Sequence, residues 1–218
     1  MGLVPSYFAI IAGKDEYLVE KEALECFAQA KKMAGADAEV EKISGLIMKV
    51  DDARTVEVQW VDAMKTLGMF GGKKVIWLRN LNWVADTQQG RSEDVKESLA
   101  LMLKAALESS EDLHLVISAT PYDGRRKELS ALKDKVDKFI LPDPPSKSPF
   151  DKGAGAAEAQ IPLVEDYFKK QGVKFERGVP EAIVAQVGTS TRLVLSECEK
   201  LSVYVGTGGT IREADVLL

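Results

Sequence analysis

The chain has 218 residues, enough for one large domain or two small ones at ~100–200 residues each. Hydrophobic residues make up 45% and charged residues 29%, an ordinary globular composition, and 29 Lys+Arg against 34 Asp+Glu leave a net charge of −5. That mild acidity argues against a protein that coats nucleic acid by bulk charge, and no apolar run approaches the ~18 residues of a membrane span.

Tyr7–Ala12 (YFAIIA) is a continuous apolar run, the pattern of a strand buried on both faces. Gly13-Lys14-Asp15 turns the chain, and Asp15 caps a helix running to Ala34 with Val19, Ala23, Phe27 and Ala30 on one stripe. Glu39–Ser44 alternates charged and apolar residues, which predicts a strand nearer an edge. Asp51-Asp52 open a helix carrying Val56, Trp60, Ala63 and Met64 at helical spacing, with Leu67 following. Gly68 and Gly71-Gly72 bracket Met69-Phe70. Lys74–Leu78 reads as a second buried strand, Arg91–Glu108 as one helix, Leu113–Ala119 as a third strand, Arg125–Lys135 as a short charged helix and Val136–Leu141 as a fourth buried-type strand. Alternating strands and helices predict an α/β domain with a mainly parallel sheet.

The composition then changes. Residues 142–160 hold four prolines and two glycines and few large apolar residues, the makeup of a linker. Beyond it the pattern is helical: Ile161–Gln171 with Pro162 in its first turn, Val179–Val187 ending at Gly188, Ser190–Val205 with Val194, Cys198 and Leu201 inward, and a last helix over Thr210–Leu218. The expected division is a sheet domain over 1–142, a linker over 143–160 and a small all-α domain over 161–218.

Two distant cysteines, Cys26 and Cys198, and a single histidine, His114, inside an apolar strand leave no metal-ligand set and no disulfide framework. A reducing cytoplasm is the matching compartment, and the N-terminus lacks the basic segment of a signal peptide. The first strand, turn and helix stand where a P-loop would, but GxxxxGK[ST] needs a glycine at Phe8 and a hydroxyl at Asp15. An acidic residue ending the second strand would hold magnesium; Arg79-Asn80 stand there instead. Gly13, Lys14 and Asp15 therefore read as a degenerate P-loop, and no cofactor and no catalytic residue are expected. The pair Met69-Phe70 has two readings: it folds back onto the core, or it is an exposed anchor for a partner's pocket. Lys73, Lys74, Arg79 and Arg125-Arg126-Lys127 form basic clusters; Tyr122–Lys138, with six basic and four acidic residues, reads as a solvated helix face, with phosphate contact the alternative. Trp60, Trp77 and Trp83 read as core.

With these pieces in order, the chain resembles the delta subunit of the bacterial DNA polymerase III clamp loader. The resemblance rests on Gly13–Leu18 after the first strand and on Met69-Phe70-Gly71-Gly72-Lys73-Lys74 running into Val75–Asn80. It continues in Leu115–Ala119 with Arg125-Arg126-Lys127, and in Glu199-Lys200-Leu201 with Tyr204 and Gly206. It implies an AAA+-like domain followed by a helical lid, and a non-catalytic subunit of a DNA-directed DNA polymerase (nucleotidyltransferase) holoenzyme. It implies that the subunit binds the sliding clamp (beta subunit) and holds one ring interface open for loading onto primed DNA. Met69 and Phe70 match the apolar pair that enters the clamp pocket in that family, where many relatives have Leu at the first position. The family continues into a collar domain that holds the ATPase and delta prime subunits; the resemblance implies that this collar lies outside residues 1–218. Primed DNA is then met indirectly or weakly, and no membrane is involved. The competing readings are a divergent P-loop NTPase or kinase and a direct nucleic-acid binder through Arg125, Arg126 and Lys127 together with Lys73 and Lys74 near Phe70.

Overall fold

The computed structural model describes residues 4–66, 72–142 and 155–217. The chain divides into two compact units, Met1–Asp143 and Pro144–Leu218. In the first, five strands form one parallel sheet: β1 (Tyr7–Ala12), β2 (Glu39–Ser44), β3 (Lys74–Leu81), β4 (Leu113–Ala119) and β5 (Lys138–Ile140), in the order β2-β3-β4-β1-β5. The helices are α1 (Glu16–Ala34), α2 (Asp52–Lys65), α3 (Gln88–Arg91), α4 (Glu93–Leu107) and α5 (Lys127–Ser130).

The period-two alternation of the central strands makes two cores. Phe8, Ile10, Ile76, Leu78, Leu115 and Ile117 face α2 and α4, where Trp60, Val95, Leu99 and Met102 close the layer. Tyr7, Ala9, Ile11, Val75, Trp77 and Val116 face α1, which supplies Val19, Ala23, Cys26 and Phe27. The three tryptophans are core, and each buried indole N–H has an acceptor: Trp60 donates to the Met102 carbonyl at 3.2 Å, Trp77 to Ser118 Oγ at 3.1 Å and Trp83 to the Gly45 carbonyl at 2.7 Å.

Several boundaries differ from the sequence reading. The single helix expected over Arg91–Glu108 is two, because Ser92 is extended (φ −62°, ψ 137°) and Thr87 Oγ1 caps α3 by accepting from the Gly90 N–H at 3.1 Å. Gly90 is packed so tightly that an added Cβ would stand 2.3 Å from the Ala85 carbonyl oxygen. The charged segment after Gly124 keeps only one helical turn, α5, and β5 is three residues long. β3 runs on to Leu81 through an irregularity in its pairing with β4, where Asn80 takes φ 58°, a conformation Asn tolerates better than most residues.

The second unit contains α6 (Gly155–Gln171), α7 (Val179–Val187), α8 (Thr191–Val205), the two-stranded parallel pair β6 (Lys174–Phe175) and β7 (Thr210–Ile211), and a 3₁₀ turn over Glu213–Leu217. Val164, Phe168, Ile183, Val194, Cys198 and Leu201 form its core with Ile211 and Val216. Two expectations are corrected here. Residues 155–160, assigned to the linker, are the start of α6, and Pro162 lies inside that helix; the Ala, Glu and Gln of this stretch are strong helix formers. The last helix expected over Thr210–Leu218 is a strand followed by a 3₁₀ turn. The Lys174 N–H donates to the Gly209 carbonyl and the Glu176 N–H to that of Ile211, both at 2.9 Å, and Ile211 is fully buried.

Candidate functional site

Two places carry the functional expectations, and the parallel sheet puts them at its opposite ends. Gly13 follows the C-terminal end of β1, whereas Gly72 and Lys73 lead into the N-terminal end of β3.

At the first, the turn is closed by its own residues. The Gly13 N–H donates to the Ala119 carbonyl at 3.1 Å, and the Gly13 carbonyl accepts from the Tyr122 N–H at 3.0 Å. Asp15 Oδ1 accepts from the Leu18 N–H at 3.0 Å, so a carboxylate occupies the helix N-terminus that would otherwise face phosphate. Arg79, at the strand end where a magnesium-holding acid would stand, pairs with Glu20 at 2.5 Å and lies 4.8 Å over the Trp77 ring. The two arginines nearby are likewise engaged. Arg125 binds Asp123 at 2.6 Å and reaches Asp86 at 3.7 Å. Its hydrogen bonds, foremost that from its side chain, hold the Asp123 carboxyl at about 2. Arg126 turns inward, donating to the Gly90 and Ala85 carbonyls at 2.5 and 3.3 Å and pairing with Glu128 at 2.9 Å. These arginines are matched to carboxylates and carbonyls of the same unit.

At the second place, Met69 and Phe70 lie outside the described residues. Their flanks are described, and they are tied together. Lys74, a member of a basic cluster in the sequence and the first residue of β3, is 1% exposed. Its ammonium donates to the Thr66 carbonyl at 3.0 Å, just past the end of α2, and pairs with Glu41 at 2.8 Å and Glu39 at 3.1 Å on β2. Burial works to lower the Lys74 pKa, but the bonds to Glu41 and Glu39 outweigh it and hold it above its ordinary 10.5. One buried cation thus joins the C-terminal end of α2, the edge strand β2 and the start of β3. The sequence held a signal for this: Glu39 and Glu41 sit two apart on a strand, hence on one face, and Lys74 is the register partner of Glu39. Thr66 adds a second tie, its N–H and Oγ1 both donating to the Asp62 carbonyl.

His114 is buried in β4 at 1% exposure, and burial, with Lys73 second, pushes its imidazole below the ordinary 6.5. Among the described residues, no group of three or more His, Cys, Asp or Glu is arranged to hold a metal ion, and no helix is long and apolar enough to cross a membrane.

A family model described as DNA polymerase III, delta subunit, matches residues 10–139. Among solved structures, the chain is similar to the Bacillus subtilis DNA clamp loader delta protein YqeN, with TM-score 0.57 and 15% identity over 96% of this chain and 57% of that one. The chain thus spans little more than half the length of that delta protein. Two variants of Thermotoga maritima RuvB also match, at TM-scores 0.44 and 0.43 and 14% and 12% identity, each over 97% of this chain and 60% of that one. No curated protein matches.

Proposed function

The chain belongs to the DNA polymerase III delta-subunit family, and on that premise we propose that it binds the sliding clamp and holds one ring interface open for loading onto primed DNA. The contact is made by Met69 and Phe70. The observation that carries this reading is the buried Lys74 cluster. It ties Thr66 to β2 and β3, so the short span that carries the apolar pair starts and ends on fixed points.

The subunit is non-catalytic and works in the cytoplasm. The N–H of Leu18 and the arginines at the opposite sheet end are already engaged, which leaves ATP binding and hydrolysis to the ATPase subunits that, with delta prime, are its further partners. The sheet domain contacts the clamp and the helical domain positions it. Ring opening then requires that the strained interface be bound more tightly than the closed one.

The test is direct binding of the purified chain to its own organism's clamp. Phe70→Ala should weaken binding by ~30-fold or more, the loss of a central aromatic anchor, with the unfolding curve unchanged. Clamp affinity within threefold of wild type, in a folded variant, would refute the assignment.

A further inference from the structure

The loop between β2 and α2 carries two exposed apolar side chains on a backbone that is held along its length. Ile47 is buried. Its N–H donates to Asn82 Oδ1 at 2.9 Å, and its carbonyl accepts from Asn82 Nδ2 at 3.0 Å. The Trp83 indole fixes Gly45, and Asp52 Oδ2 accepts from the N–H groups of Met48 and Lys49 at 2.9 and 2.8 Å. Leu46 and Met48 are left 53% and 75% exposed on either side of the buried Ile47. A loop already ordered costs little to use as a contact, and Met is an adaptable apolar surface.

Two residues past Lys49 along the chain, Asp51 forms part of the wall of an open cavity of about 440 Å³, lined also by Arg54, Glu57, Asp94 and Glu97. Four carboxylates stand there against one guanidinium. Glu57 is 6% exposed; its Oε1 takes the Arg54 guanidinium at 2.5 Å, while its Oε2 is buried and meets no donor. A cation entering the open cavity would meet the exposed carboxylates of Asp51, Asp94 and Glu97. The carboxylates equally repel nucleic acid.

We propose that this loop and cavity together form a docking surface for a partner polypeptide segment that carries lysine or arginine beside an apolar side chain. The cation enters between Glu57, Asp94 and Glu97, and the apolar side chain packs on Leu46 and Met48.

A dye-labelled amphipathic leucine–lysine peptide is the probe, read by fluorescence anisotropy with the full chain, against a leucine–glutamate peptide of the same apolar face. The lysine peptide should bind and the glutamate peptide should not. The double variant Asp94→Asn/Glu97→Gln and the single variant Met48→Ser should each weaken binding ~5-fold or more, whereas Glu25→Gln and Leu24→Ser, exposed on α1, should stay within ~2-fold. Circular dichroism checks that each variant is folded. The proposal is overturned if the wild-type chain fails to bind, if both peptides bind alike, if the α1 variants lose as much, or if only one of the two surface variants loses affinity.

Discussion

Replacing Lys74 with Met removes the ammonium and keeps most of the buried stem, so the loss isolates the polar cluster. The Thr66 carbonyl loses a charged donor at 3.0 Å, a bond worth ~1.5–2 kcal/mol. Glu39 and Glu41 are 45% and 39% exposed at their side chains. They can turn to water when the cation goes, so each pair counts only ~0.5 kcal/mol. The sum is about 2.5–3 kcal/mol. All three tryptophans lie in the sheet unit, so their fluorescence follows that unit alone even where the two units unfold separately. With a urea slope of ~2 kcal/mol per M, the Lys74→Met midpoint should fall by ~1.3–1.5 M at pH 7. The pH dependence fixes the cause. The folded pKa of Lys74 is raised above 10.5, so its contribution is fully present below the unfolded value and is lost as pH rises through the folded one. The gap between wild type and variant should therefore hold from neutral pH to about 10 and narrow above it. A midpoint within ~0.2 M of wild type at pH 7 would refute the reasoning.

Two further outcomes can be checked on the same chain. Asp15→Ala removes the carboxylate that accepts from the Leu18 N–H and should cost ~1 kcal/mol, seen as a ~0.5 M lower urea midpoint; a midpoint that millimolar ATP with magnesium then raises would mark the turn as a latent phosphate site. His114 is the one histidine, so its NMR signal is unambiguous. Its folded pKa is lowered, so stability is complete above the unfolded value of 6.5 and falls as pH drops below it; an imidazole that titrates at or above 6.5 in the folded chain would contradict the burial argument.

The parts of the fold that were legible in sequence are those in which one local pattern decides. Tyr7–Ala12 could only be a doubly buried strand, and it is the second strand from the β5 edge of the sheet, paired on both sides. Asp15 announced the start of α1, and the exposed alternation of β2 announced an edge. The misreadings fall where a distant contact overrides the local pattern. The extended backbone of Ser92 and the Ala85 carbonyl packed against Gly90 leave no breaker signal in the sequence. Thr210-Ile211 pairs with a strand of two residues, too short to leave a period. At the Gly13–Asp15 turn, the departures from a P-loop pattern could be named residue by residue in the sequence. The inward turn of Arg126 could not, since it depends on carbonyls at Ala85 and Gly90, 41 and 36 residues away in sequence. The burial of Lys74 needed the pairing of β2 with β3, which no single segment contains.

Stability in the correct register is only part of what a buried lysine between two half-exposed glutamates contributes. What an apolar residue could not supply is register. β2 pairs on one side only, with β3, and of its six residues only Ile43 is buried. Such a strand is weakly held against slipping, and a slip of one residue sends every side chain to the other face. Glu39 and Glu41 would then leave Lys74 uncompensated in the interior while Ile43 moved out of its core. The cation therefore penalises the wrong register far more than it rewards the right one. Because the same ammonium also holds the Thr66 carbonyl, the register of the edge strand and the end of α2 are set by a single side chain, at the end of the sheet opposite Gly13–Asp15.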